Sequence, residues 1–192
     1  NNIERSPFEF GQDDVVGIHG VLQVLEHAAQ NEKIKGLYIK TNSLPTQFYS
    51  NAKLLRDGIE AFKESGKFVY AYGDYYTQGG YYLASVADSI FLNPIGGIDL
   101  RGLGSELLYF KDMLDKIGVE PEVYYAGKFK SATEPFRRND MSDENRIQVR
   151  AFLNEVNTNI MSDIAESRGI TLDNILNIMN NYSSRRATLA LN

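Results

Sequence analysis

The fold is decided by residues 66–94, GKFVYAYGDYYTQGGYYLASVADSIFLNP, in which two short apolar runs flank a glycine-containing turn. The first run, Lys67–Tyr72, is rich in β-branched and aromatic residues and predicts a strand. A turn at Gly73–Gly80, a short helix at Tyr81–Ala87 and a strand at Ser89–Leu92 follow. A strand–helix–strand unit of this kind predicts two parallel strands joined by a right-handed crossover.

The alternation of helix and strand continues on both sides of this stretch. Towards the amino terminus, the patterns predict a helix around Val21–Ala29, a strand at Gly36–Lys40 and a helix from about Asn51 to Glu64. Towards the carboxyl terminus, they predict a helix from an N-cap at Ser105 to Ile117 and a fourth strand at Glu120–Tyr125. The expected fold class is therefore α/β, a parallel-sheet βαβ domain.

The predicted domain has less regular ends. Residues 1–14 are polar and are expected to form an irregular lead-in, residues 15–181 to form a single α/β domain, and residues 182–192 to form a tail that no pattern places. Within the domain, Ser142 is expected to cap a long helix with acidic residues in its first turn, where the helix dipole favours them. A shorter helix is expected after Thr171.

The composition excludes several classes of function. The chain has 192 residues, a net charge of −5 and no cysteine, so disulfides, thiolate nucleophiles and cysteine metal sites are excluded. No basic stripe is present, so no nucleic-acid partner is expected. His19 and His27 are not part of a set of residues with metal-ligand spacing, and no metal site is expected. The sequence contains no run of about 18 apolar residues and opens at Asn1 without a methionine, so we expect an excised fragment whose anchor lies elsewhere.

Ligands of parallel α/β folds usually bind at the carboxyl ends of the strands. In this sequence those ends are the loops at 41–50, 73–80, 93–104 and 126–140. The glycine-rich loop at 93–104 lacks the spacing of a phosphate-binding loop and is interpreted as a turn. The loop at 73–80 is interpreted first as a packing turn, because Thr77, its only hydroxyl besides the tyrosines, has no obvious base.

The segment at 127–136, GKFKSATEPF, is the most unusual in the chain, because it places two lysines and a serine among aromatic residues directly after a predicted strand. A lysine acts as a general base only when neutral, so its pKa must fall from about 10.4 to roughly 7–8. Apolar surroundings and nearby positive charges lower it. The candidates are Phe129, Phe136, Tyr124 and Tyr125 for an apolar wall, and Lys128, Arg137 and Arg138 for charge, whereas Glu134 would act against the shift. An ordinary surface lysine is the alternative.

At these residues the sequence resembles the signal peptide peptidase A family, also called protease IV, in its long two-domain form. The resemblance is carried by residues 66–94, by Asp99–Gly102 (DLRG) and above all by Lys130–Phe136 (KSATEPF), and it extends over about residues 15–170. The string Gly79–Ser85 (GGYYLAS) is shared more widely, with the crotonase and Clp-protease superfamily.

The resemblance implies that this chain is the amino-terminal domain of a serine–lysine endopeptidase. Lys130 matches the family's catalytic lysine, and Lys128 does not, because Lys130 directly precedes the S-A-x-E-P-F string. Gln78 stands where the companion domain has its nucleophilic serine. The chain alone is therefore expected to be inactive.

The same resemblance implies the partners and the location. The expected partners are a carboxy-terminal serine-bearing domain, further copies in a homo-oligomer, and signal peptides or other short hydrophobic peptides, and no cofactor is expected. The expected location is the periplasmic side of a bacterial inner membrane. Four tyrosines that look exposed are expected either to line a peptide groove or domain contact, or to pack in the core: Tyr75, Tyr76, Tyr81 and Tyr82.

Two other functions remain open. The domain could be a non-catalytic scaffold of the same fold that binds peptides or builds the oligomer. It could also be an acyl-CoA enzyme of the crotonase class, for which Asp74 is the one acidic candidate on the relevant turns.

Overall fold

The structure, a computed structural model, describes residues 17–40 and 49–190. The predicted lead-in at 1–14 and most of the loop at 41–50 lie outside the described residues. The described residues up to Ile98, together with those from Arg185 onward, form one structural unit, and Asp99–Ser184 form a second. Because one domain can comprise two such units, the single domain over residues 15–181 stays a prediction.

The first unit is built on a three-stranded parallel sheet. Its strands lie in the order β1-β2-β4, with Gly36 opposite Phe68 and Tyr70 opposite Ser89. The α/β class and the parallel pairing are thus confirmed. The elements up to β4 are α1 (Ile18–Gln30), β1 (Gly36–Lys40), α2 (Tyr49–Glu64), β2 (Phe68–Gly73), β3 (Tyr76–Thr77), α3 (Gln78–Ala84) and β4 (Ser89–Leu92).

The two faces of this sheet differ. On β2, Val69 and Ala71 are fully buried, while α1 packs on α2 and α2 packs on α3. The opposite face carries aromatic rings that remain 39–60% exposed, namely Tyr38, Phe68, Tyr70 and Phe91. Three of these rings contact one another across β2 and β4, with centroid separations of 4.7 and 6.0 Å. A parallel sheet normally has both faces covered, so this aromatic face is the uncovered side of the described sheet.

The glycine-rich loop at 93–104 is explained by close backbone packing. It contains β5 (Ile98–Asp99), which pairs with β3. A Cβ atom on Gly96 would lie 1.9 Å from the carbonyl oxygen of Asp74, and one on Gly97 would lie 2.0 Å from that of Arg185. These glycines therefore allow the chain to approach itself, which supports the interpretation as a turn.

The second unit is mainly helical. Its helices are α4 (Lys111–Lys116), α5 (Glu134–Arg137), α6 (Asp143–Arg168) and α7 (Leu172–Asn180). The Ser142 hydroxyl accepts a hydrogen bond from the Asn145 amide, so the predicted cap of the long helix is confirmed. The Thr171 hydroxyl caps α7 in the same way. In the predicted tail, α8 (Ala187–Ala190) belongs to the first unit, where the Ala187 amide donates to the Gly96 carbonyl.

In the second unit, one predicted strand is wrong and one predicted helix starts later than expected. Residues Glu120–Tyr125 form no strand: all but Val123 are exposed, and no described strand lies beside them to complete a ladder. Strand propensity reflects packing against neighbours more than an intrinsic preference. The helix predicted from Ser105 begins only at Lys111, since Leu107 and Leu108 stay exposed and short helices in proteins depend on burial of an apolar face.

Candidate active site

Lys130 lies in the second unit, on the connection that leads into α5. Its amide donates to the carbonyl oxygen of Gly127 at 3.4 Å, which closes a turn, and Gly127 has a φ of +88°. The Lys130 side chain is exposed and lines an open depression of about 470 Å³. The other lining residues are Tyr124, Tyr125, Ala126, Phe129, Ser131, Ala132 and Thr133.

The structure brings together part of the predicted lysine environment. Of the four aromatic residues predicted to form a wall, Tyr124, Tyr125 and Phe129 line the depression with Lys130. Phe136 does not line it: its ring stacks on that of Phe110, with centroids 6.1 Å apart. The Lys130 side chain thus lies with aromatic residues in a depression that is open to solvent.

Two of the three predicted positive charges, Arg137 and Arg138, have other partners. The Arg137 guanidinium lies over the ring of Tyr125, 3.9 Å from its centroid, and its Nε donates to the Thr133 hydroxyl at 3.3 Å. Arg138 forms an exposed ion pair with Asp140 at 3.1 Å. Arg137 therefore contacts both Tyr125, which precedes Lys130, and Thr133, which follows it.

Glu134, four residues after Lys130, is the buried anchor of this segment. Its side chain is 1% exposed. Its carboxylate accepts hydrogen bonds from the Ser142 hydroxyl, from the Ser142 backbone amide at 3.3 Å and from the side-chain amide nitrogen of Asn145 at 2.9 Å. The sequence predicts for Glu134 only an unfavourable charge near Lys130. The signal that was available is an acidic residue eight positions before a helix N-cap, which is too common to be specific.

The charge of Glu134 is stabilised by these donors. Burial raises the pKa of its carboxyl, but the hydrogen bonds from Ser142 and Asn145, with Arg137 at 3.8 Å, outweigh burial and hold the pKa below its usual value of 4.5. Because the folded-state pKa is depressed, this carboxylate stabilises the fold fully above the unfolded-state pKa. That stabilisation is lost as the pH falls through the folded-state value.

The turn at 73–80 lies in the first unit and holds no serine. The Thr77 hydroxyl accepts a hydrogen bond from the Gly80 amide at 3.1 Å and so caps α3, whose first residue is Gln78. Tyr76 and Tyr82 are at most 1% exposed, so their exposed appearance in the sequence was misleading and they belong to the core. Tyr75 remains exposed.

Arg56 on α2 forms hydrogen bonds that link this helix to α3, and its side chain is 1% exposed. Its guanidinium donates to the Tyr82 carbonyl oxygen and to the Ser85 hydroxyl, the latter at 2.8 Å, and lies 4.8 Å from the centroid of the Tyr82 ring. Its Nε also lies 3.2 Å from a carboxylate oxygen of Glu60. Sequence reasoning missed this residue.

Comparison with known proteins identifies the family. Residues 61–187 match the model of peptidase family S49, a range that includes both the turn at 73–80 and the Lys130 segment. The chain belongs to peptidase family S49. The resemblance to signal peptide peptidase A is thereby confirmed, and the α/β fold with a parallel sheet is consistent with the Clp-protease and crotonase-like fold.

Similar proteins within this family are much longer than the chain. Protease 4 of Haemophilus influenzae is 44% identical over 156 residues, which cover 81% of this chain and 25% of that protein. Protease 4 of Salmonella typhi is 33% identical, covering 79% of this chain and 24% of that protein. The chloroplastic serine protease SPPA of Arabidopsis thaliana is 28% identical, covering 80% and 22%. The chain thus spans about a quarter of the length of these curated relatives.

Replacing Gly127 with alanine is expected to disturb the Lys130 turn. A positive φ at a residue with a Cβ costs on the order of 1–3 kcal/mol, although no other atom lies within 4 Å of the Cβ position. We expect the full-length protein carrying Gly127→Ala to lose peptidase turnover several-fold while remaining folded. The matched control is Gly104→Ala, an exposed glycine with equal space and no positive φ. Equal turnover of the two variants would contradict the expectation.

Proposed function

We propose that this chain is the lysine-bearing, amino-terminal domain of a serine–lysine endopeptidase, with Lys130 as the general base for a serine on a companion domain. The observation that carries the proposal is the placement of Lys130, held by a turn at an aromatic-lined depression within a chain of the S49 family. The absence of serine from the turn at 73–80, where Gln78 stands, supports a serine supplied from elsewhere.

The proposed chemistry requires Lys130 to be neutral. Its side chain is exposed in the chain alone, so the companion domain has to cover the depression and exclude water, which disfavours the ammonium form. The neutral amine then accepts the serine proton as the serine oxygen attacks the peptide carbonyl. It returns that proton to the leaving amine as the C–N bond breaks, and an acyl-enzyme remains. Water, deprotonated by the same amine, hydrolyses the ester.

The substrates, partners and location belong to the same proposal. Aromatic rings beside Lys130 suit signal peptides and other short hydrophobic peptides, and we propose assembly with the companion domain into a homo-oligomer. We place the assembly at the periplasmic side of a bacterial inner membrane. Among the residues that the structure describes, no helix is both long enough and apolar enough to cross a membrane.

The proposal is tested by comparing this chain alone with the full-length protein. We expect the full-length protein to hydrolyse a short hydrophobic peptide and the 192-residue chain to show no hydrolysis, because it lacks the nucleophile. A serine-directed fluorophosphonate probe should label the full-length protein outside these residues. Hydrolysis by the chain alone that survives Lys130→Ala would overturn the assignment.

A non-catalytic peptide-binding role is the second candidate. It is favoured by the exposure of Lys130 and by the aromatic lining of the depression, which would hold a peptide without any proton transfer. Retained turnover in Lys130→Ala would favour it. The acyl-CoA alternative has weaker support, because the Asp74 carboxylate already accepts hydrogen bonds from the Tyr72 hydroxyl at 2.8 Å and the Asn93 amide at 3.1 Å.

A further inference from the structure

The two ends of the segment that carries Lys130 are held by contacts. The Tyr125 ring before it and the Arg137 guanidinium after it are stacked, with 3.9 Å from the guanidinium carbon to the ring centroid. The Pro135 carbonyl oxygen accepts a hydrogen bond of 2.7 Å from the Phe110 amide, next to the stacked rings of Phe110 and Phe136. Residues 126–133 therefore form a loop, here called the lysine loop, whose ends are held while its middle reaches water.

Glu134 connects the end of the lysine loop to the start of α6. Its amide donates to the Ser131 carbonyl oxygen at 2.9 Å, within the loop. Its carboxylate receives the Ser142 amide, the Ser142 hydroxyl and the Asn145 side-chain amide, all at the first turn of a helix of 26 residues. The backbone of Glu134 thus contacts the loop, while its side chain contacts the longest helix of the unit.

The chemistry of this contact favours a carboxylate. Three donors converge on the two carboxylate oxygens, and an ionised carboxyl is acceptor-only with capacity for several donors. A glutamine of the same shape would remove the charge and turn its NH₂ group either towards the Ser142 amide and the Asn145 side-chain amide nitrogen, which only donate, or towards the Ser142 hydroxyl, which can also accept. Hydrogen bonds to charged groups and to buried acceptors are the costly ones to lose.

We propose that Glu134 is a positioning residue for Lys130: its buried carboxylate, bound at the first turn of α6, fixes the lysine loop so that the Lys130 amine meets the companion serine at reacting distance. This inference rests on the proposed role of Lys130. Glu134 does not itself contact substrate, since its side chain is 1% exposed. Displacing a reacting group by about 1 Å can cost on the order of 10²-fold in rate.

The experiment uses the full-length protein with Glu134→Gln, and with Glu122→Gln as the matched control at an exposed glutamate before the lysine loop. At a temperature where each variant is fully folded, we expect Glu134→Gln to lower kcat about 10- to 100-fold with KM nearly unchanged. Hydrogen exchange should become faster at residues 126–133 and not in α7. Glu122→Gln should match the unsubstituted protein in both measurements.

A second variant keeps the test valid if Glu134→Gln folds poorly. In Glu134→Gln/Asn145→Asp, the glutamine NH₂ can donate to the new aspartate while the glutamine oxygen accepts from the Ser142 hydroxyl, and only the bond from the Ser142 amide is lost. We expect this double variant to recover slow exchange in the lysine loop and part of kcat. A role in stability alone would restore the unfolding temperature without restoring kcat.

The outcomes separate this inference from the proposed function. Unchanged kcat and unchanged exchange in Glu134→Gln, with Lys130→Ala inactive, would overturn the positioning role and leave the peptidase assignment in place. A loss of activity that only follows the unfolded fraction would overturn it as well. Turnover that survives Lys130→Ala would instead remove the proposed function, whatever the exchange at the lysine loop.

Discussion

Full-length protein carrying Lys130→Ala is expected to lose about 10²- to 10⁴-fold in kcat, the range that general-base catalysis contributes. The loss arises because no other group would accept the serine proton as the nucleophile attacks. This domain should stay folded, since the Lys130 side chain is exposed within the chain itself and substitutions at such positions usually change the free energy of unfolding by less than about 0.5 kcal/mol. Steady-state peptide hydrolysis and thermal unfolding measure the two quantities.

Two further variants distinguish a role of Lys130 as a proton acceptor from a role of its positive charge. Lys116→Ala removes an exposed lysine elsewhere in the same unit and should leave kcat near that of the unsubstituted protein. Lys130→Arg keeps the positive charge, but a guanidinium does not lose its proton in proteins, so this variant should be as inactive as Lys130→Ala. Substantial turnover in Lys130→Arg would show that Lys130 supplies charge and not a proton acceptor.

The largest loss of stability is expected for Arg56→Ala. The substitution leaves the Tyr82 carbonyl oxygen and the Ser85 hydroxyl without their guanidinium donor and opens a cavity where a fully buried side chain lay. Leaving a buried polar group without its donor costs about 1–3 kcal/mol, and an unfilled cavity adds to that cost. Urea unfolding of the full-length protein, followed by a probe in this domain, should therefore show a much lower transition midpoint.

The matched control for Arg56→Ala is Lys53→Ala on the same helix. Lys53 pairs with Asp57 at 2.8 Å, with side chains 40% and 50% exposed, and exposed pairs contribute about 0–1 kcal/mol. The midpoint should hardly move. If Arg56→Ala unfolded at the same urea concentration as Lys53→Ala, the buried guanidinium would not be the link between α2 and α3 that we describe.

The elements that the sequence predicted well have local signals. Strands β1, β2 and β4 lie within one residue of their predicted bounds, because short β-branched and aromatic runs were bounded by glycine or polar residues. The starts of α6 and α7 were predicted from Ser142 and Thr171, whose hydroxyls bond to amides three residues ahead. Cap chemistry is decided within one turn of chain, so it is visible in the sequence.

The elements that were missed depend on distant partners. Glu120–Tyr125 has a strand-like composition, but the described residues place no strand beside it, and Tyr124 is 89% exposed. Arg56 is charged and was not assigned to the core, because only the fold brings it to the Tyr82 carbonyl, 26 positions away. Local patterns do not contain such long-range contacts.

The residues of the candidate site show the same difference between local sequence signals and long-range contacts. Lys130 was singled out by its sequence context, and the structure places it with three of the four aromatic residues predicted to surround it. Glu134 was noted only as an unfavourable charge. Its role depends on Asn145, 11 positions ahead, reaching back to it across the turn that starts α6. The role of Lys130 as a general base stays a prediction, since it depends on the proposed companion domain.

The all-parallel sheet of the first unit has a consequence for the nascent chain. Paired residues of β1 and β2 are about 30 positions apart and those of β2 and β4 about 20, so each pairing waits for a connecting helix and cannot start from a hairpin. As the polypeptide leaves the ribosome, β2 is complete before β4 has emerged. The edge of β2 that later pairs with β4 is then open, with its ladder groups unpaired, and such an edge can pair with other chains.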